Sequence, residues 1–85
     1  MNSHFFEKPT ESLYTSYMNY KEQDRQRILS YLESHPSCTV KSIIEESGAE
    51  RLRVYPLLFE LSQEKKIQIV EESEWGAPIR VKWIS

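Results

Sequence analysis

Two histidines, one cysteine and two glycines bound the chemistry this chain can perform. Neither His4 nor His35 stands with a serine or cysteine and an acid in the pattern that activates a nucleophile. Gly48 and Gly76 are isolated, so no glycine-rich loop offers backbone N–H groups to a phosphate. Cys38 has no second cysteine for a disulfide and no neighbour at zinc-ligand spacing, and it reads as a small buried apolar residue. His35, just before Pro36, suits a helix C-terminus, where a cation meets the negative end of the dipole. These residues predict a chain without enzymatic activity, cofactor or metal.

Binding chemistry is better represented. Tyr55, Phe59 and Gln63 recur every four residues, with Arg51 and Arg53 just ahead of them. Arginines at a helix start can reach phosphates or the guanine edge, and Tyr55 and Gln63 can bond a phosphate. Lys41 is a further phosphate candidate, and Arg80 and Lys82 share one face of a predicted strand. Lys41, Arg51, Arg53, Tyr55, Gln63, Arg80 and Lys82 are therefore the nucleic-acid candidates. Phe59 and Trp75 form a second class, because an aromatic outside the core usually has an apolar partner. Tyr14 and Tyr17 join them, since tyrosine pairs a large apolar body with a polar tip that favours interfaces. The plainer alternatives are a solvated helix face, a Trp75 folded back against Pro78, and tyrosines that serve packing alone. Trp83, in phase with Ile79 and Val81, is read as core.

Charge weighs against a polyanion. The net charge is −2, from 11 basic and 13 acidic residues, where a nucleic-acid binder usually carries a basic footprint. Glu71, Glu72 and Glu74 crowd one strand, and a symmetric hairpin register sets Glu72 opposite Arg80.

The elements that must hold these residues follow from hydrophobic period. Residues 1–9 have no period and read as an arm. Thr10 can cap a helix in which Leu13, Tyr14, Tyr17, Met18 and Tyr20 recur. That helix either ends near Asn19 or continues through Leu32. From Lys21, Ile28, Leu29, Tyr31 and Leu32 make an apolar stripe, with Glu22, Asp24, Arg25 and Arg27 assigned to water; His35 and Pro36 end it. Ser37 and Cys38 lead to a cap at Thr39. A second helix over 40–47 buries Val40, Ile43 and Ile44, and Gly48 closes it. A third buries Val54, Leu57, Leu58 and Leu61 at i, i+3, i+4 and i+7. Pro56 lacks an N–H, so the expected start is near Arg53 or Val54, with 49–52 as a turn. After Lys65 and Lys66 the period falls to two. Strands through Ile67, Ile69 and Glu71 and through Ile79, Val81 and Trp83 flank a turn over 75–78.

This order resembles the winged helix-turn-helix DNA-binding superfamily. The phrases that carry the likeness are RILSYLE, TVKSIIEESG, VYPLLFELSQEKKI and IQIVEESEWGAPIRVKWIS, over Lys21 to Ser85. The resemblance implies an α+β winged-helix domain over 21–85; residues 1–20, outside it and rich in aromatics, read as an N-terminal helical extension that offers a dimerisation surface. The resemblance also implies a third helix that enters the major groove of double-stranded DNA, a hairpin wing on the backbone, and a transcriptional regulator acting as a homodimer. A narrower likeness links EQDRQRILSYLE and LLFELSQEKKI to the Z-nucleic-acid-binding winged helices. Tyr55 and Phe59 stand where that family has an asparagine and a tyrosine. Ala77 and Pro78 replace its paired prolines, and Trp83 is displaced, so its specificity does not carry over. The alternative within the same fold is a protein-interaction winged helix that recognises its partner through Tyr55, Phe59 and Trp75.

At 85 residues the chain is expected to form one domain with a small core. No apolar run approaches the ~20 residues that span a bilayer. Met1 to Lys8 lacks the pattern of a secretory signal, so the expected compartment is the cytoplasm.

Overall fold

The computed structural model describes residues 2–84, with side chains described for 18–84. Its elements are α1 (Asn2–Ser34), β1 (Ser37–Thr39), α2 (Val40–Glu46), α3 (Arg51–Gln63), β2 (Ile67–Glu72) and β3 (Pro78–Trp83). The three strands form one antiparallel sheet in the order β1-β3-β2. The class is α+β.

Each helix contributes one stripe to a shared core. Ile28 and Leu32 come from α1, Val40 and Ile43 from α2, and Val54, Leu57, Leu58 and Leu61 from α3. Ile67 and Val81 close it from the sheet, and Leu29, Tyr31, Ile44, Ile69 and Trp83 pack around it. The i, i+3, i+4, i+7 spacing in α3 puts all four of its buried residues on one side. Thr39 caps α2 as expected: its Oγ1 accepts from the Ser42 N–H at 3.1 Å. Gly48 takes φ +85° directly after α2, a conformation that disfavours a Cβ. At the end of α1 the His35 N–H donates to the Tyr31 carbonyl at 2.9 Å, and His35 Nδ1 does so at 3.1 Å. The His35 ring also stacks on Tyr31 with centroids 4.2 Å apart. His35 thus acts as the cap the sequence suggested.

Five expectations need correction. The sheet has three strands, because Ser37–Thr39, read as a connector, pairs with β3 through Ser37↔Lys82, Cys38↔Val81 and Thr39↔Arg80. Helix α1 runs unbroken from Asn2 to Ser34, so 2–9 is not an arm without structure and Thr10 caps no helix start, while of the two readings of the segment after Thr10 the continuous one through Leu32 holds. Asp24, assigned to water, is only 2% exposed. Helix α3 starts at Arg51 and takes Pro56 into its second turn. The bond lost there is the one to the Leu52 carbonyl, and Leu52 is 81% exposed, so solvent can take the missing N–H's place. Finally, β2 shifts register between Ile69 and Glu71 and again between Glu71 and Glu72. An irregularity of this kind adds a residue to one strand and re-aims its neighbours. It brings Glu71, not Glu72, opposite Arg80, sets Glu72 opposite Pro78, and places Pro78 in β3 instead of the turn.

Lys65 ends α3 at φ +62°. Its N–H donates to the Ser62 carbonyl and the Lys66 N–H to the Leu61 carbonyl, both at 3.0 Å. This is the paired bonding of a Schellman end, with lysine where glycine is usual. The hairpin turn is held by Ser73, whose Oγ accepts from the N–H groups of Trp75 and Ala77 at 3.2 Å each.

Candidate binding surface

The outer side of α3 is set by what its inner side buries. Opposite Val54, Leu57, Leu58 and Leu61 stand Leu52, Pro56, Phe59 and Gln63, all exposed. Leu52 is 81% exposed and Phe59 43%, so an apolar stripe runs along the helix in water. Large apolar side chains grouped this way mark contact surfaces more often than isolated ones do.

One flank of the stripe is sealed electrostatically against α1. Arg53 Nη1 donates to Asp24 Oδ2 at 2.9 Å, and Arg27 Nη1 donates to Asp24 Oδ1 at 3.1 Å. The Arg53 guanidinium also lies 5.8 Å from the centroid of the Tyr20 ring. Lys21 Nζ meets Glu60 Oε2 at 3.0 Å. Arg25 grips Glu64 with both terminal nitrogens, Nη1 reaching Oε2 at 3.2 Å and Nη2 donating to Oε1. This fork holds the Glu64 carboxyl below its ordinary 4.5, first through the hydrogen bond from Arg25 and then through the charges of Arg25, Lys66 and Lys21. Every charged residue on this side of α3 is therefore paired within the chain.

The other flank is open. A trough of about 620 Å³ lies between α2, the first turns of α3 and the start of β3. Val40, Ile44, Tyr55, Pro78 and Ile79 supply its apolar lining, and Lys41, Arg51 and Glu45 its charges.

The structure brings together only part of the predicted set. Lys41, Arg51 and Tyr55 share this trough. Arg53 is turned inward to Asp24, the side away from the trough. Arg80 and Lys82 alternate with the buried Val81 and lie on the opposite face of the sheet, where Arg80 Nε faces Glu71 Oε1 at 3.7 Å. Gln63 is exposed further along α3. Trp75 is 92% exposed at the hairpin tip, so it does not fold back on Pro78. The side chains of Tyr14 and Tyr17 lie outside the described residues.

Sequence reasoning missed Leu52, because Pro56 had pushed the helix start past it. It missed the trough lining of Pro78 and Ile79, because the register shift in β2 decides where β3 begins. It also missed Asp24 as the α1–α3 tie, since the partner that buries it lies 29 residues away. No local signal in the sequence marks that pairing.

Among the described residues no group of three or more His, Cys, Asp or Glu side chains is arranged to hold a metal ion. Burial pushes the Cys38 thiol up, away from the reactive thiolate. Among the described residues no helix is long and apolar enough to cross a membrane. No protein-family model matches this chain, and neither a curated protein nor a solved structure matches it.

Proposed function

We propose that this chain is a winged-helix module that acts by binding, without catalysis, and that its α3 face engages a protein partner. The fold reading rests on element order and on the α2–α3 joint. Four residues, Ser47 to Glu50, link the two helices and include Gly48, as in a helix-turn-helix. A β-hairpin follows and packs beside them.

The observation that carries the partner class is the character of the outward α3 surface. It offers Leu52, Tyr55 and Phe59, while Arg53 and Arg80, two of the five cations suited to phosphate, are held by Asp24 and Glu71. Apolar side chains at i, i+3 and i+7 are the pattern of a helix that meets a partner surface. The test is a random-peptide display selection on the full chain, repeated on Leu52→Ser/Phe59→Ser. Peptides enriched on the original chain and lost on the double variant support the reading. Failure to enrich any peptide, with folding intact, overturns it.

A second reading is favoured by the convergence of Lys41, Arg51 and Tyr55 at the start of α3. In it α3 enters the major groove of double-stranded DNA and the chain regulates transcription, as a homodimer joined through residues 10–20. Two copies would then present their helices about one DNA turn, roughly 34–36 Å, apart. Lys41 and Arg51 are its available phosphate contacts, which predicts a log–log salt slope of roughly −2. Titration of a random-sequence duplex separates the readings. Saturable micromolar binding with that slope favours DNA, and its absence at low salt removes DNA.

A further inference from the structure

We infer that the trough beside α3 takes a short acidic peptide segment, with one bulky apolar side chain set between carboxylates. The inference rests on the protein-binding reading and gives that partner a chemistry.

The trough sets an apolar floor beside a basic rim. Its floor is apolar, formed by Ile44, Tyr55 and Ile79, within a space of about 620 Å³. That volume falls in the range of roughly 300–1,000 Å³ that seats a compact apolar group. Its rim carries Lys41 and Arg51, for which the described residues supply no ion-pair partner. Most other cations near α3 are already engaged: Lys21 with Glu60, Arg25 with Glu64, and Arg27 and Arg53 with Asp24. The rim's one acid is Glu45. In a chain of net charge −2, this is a local excess of positive charge placed over an apolar floor. Apolar groups are drawn to the floor, and carboxylates fix their orientation at the rim.

The neighbourhood selects a peptide over a nucleic acid. Glu45 lines the trough and Glu72 pairs across the hairpin with the lining residue Pro78, so acidic residues border it. A duplex carries one negative charge per ~1.7 Å of axis and would lie against them. A segment with two or three carboxylates can meet Lys41 and Arg51 and leave that border uncovered.

The experiment compares the full chain with Lys41→Glu/Arg51→Glu in the same display selection. Both side chains are exposed, so the fold should survive, and urea midpoints verify it. If the reversed chain does not fold, Lys41→Gln/Arg51→Gln replaces it. Enriched peptides should be net acidic, contain Leu, Ile or Phe, and lose about tenfold in affinity on charge reversal. Reselection on the reversed chain should return basic peptides. Neutral or basic peptides from the original chain, or affinity unchanged by reversal, overturn the inference. Peptides that need Leu52 and Phe59 but ignore Lys41 and Arg51 overturn it while leaving the α3-face reading in place. A selection that enriches nothing removes both, and a duplex that protects Lys41 and Arg51 from chemical modification replaces both with the DNA reading.

Discussion

Replacing Asp24 with alanine tests the electrostatic tie between α1 and α3. Asp24 is 2% exposed and accepts from Arg53 at 2.9 Å and from Arg27 at 3.1 Å. Breaking a buried ion pair costs about 3–5 kcal/mol when the surviving charge stays buried. Here the survivors have an exit, since the Arg53 side chain is 31% exposed and that of Arg27 50%. Their rehydration, and the relief of burying a carboxylate, offset roughly half of the loss, leaving about 2 kcal/mol. For a domain of this size each kcal/mol moves the midpoint of thermal unfolding by about 4–8 °C, so the expected drop is about 8–16 °C. The assay is urea and thermal unfolding followed by circular dichroism. Asp24→Ala, Arg53→Ala and the double variant complete a cycle, whose coupling should be about 1–2 kcal/mol. A loss under about 0.5 kcal/mol for Asp24→Ala, or a coupling near zero, refutes the claim that this pair holds α3 to α1. Asp24→Asn carries a functional corollary. Without the carboxylate Arg53 is released, so any affinity for a random duplex should rise relative to the original chain.

Three further outcomes follow from the geometry. Lys65 sits at φ +62°, where a Cβ is disfavoured, so Lys65→Gly should stabilise the chain by about 0.5–1 kcal/mol, read as a higher urea midpoint at unchanged slope. Leu58→Ala should cost about 2–5 kcal/mol, because Leu58 is fully buried, whereas Phe59→Ala on the next position should cost far less, and paired urea curves check the contrast. Glu64 is held below its ordinary 4.5 by the hydrogen bond from Arg25, so in acid the unfolded chain takes up this proton first. Its contribution is therefore present above about pH 4.5 and lost as pH falls through the lower, folded value; Arg25→Gln should flatten that part of the curve of urea midpoint against pH.

What the sequence made legible was local. Thr39 sits one residue before an apolar helix, and a hydroxyl there has one obvious task, the Ser42 N–H. Val54, Leu57, Leu58 and Leu61 could share a helix face in only one way, and that face is the core. Gly48 and His35 announced helix ends through backbone freedom and through proximity to Pro36. What stayed hidden was every feature settled by distant chain. The Ser37–Thr39 segment is a strand only because β3 lies beside it. Asp24 reads as a surface acid until Arg53 arrives to bury it. Glu71 faces Arg80 because β2 is irregular, which alternation alone does not reveal. The candidate surface divides along the same line. The outward aromatics of α3 were visible from helical spacing, while the trough that joins Lys41, Arg51 and Ile79 required α2 and β3 to meet. Leu52 shows how one residue misleads: Pro56 argued for a late helix start and so concealed a stripe member that is 81% exposed.

The most direct measurement is an amide-resolved NMR titration of the full chain with the peptide most enriched by display. The largest shifts should fall on residues 51–59, spread to Lys41 and Ile44, and include Ile79. Shifts concentrated around Trp75 or along α1, with the outer face of α3 unmoved, would contradict the account.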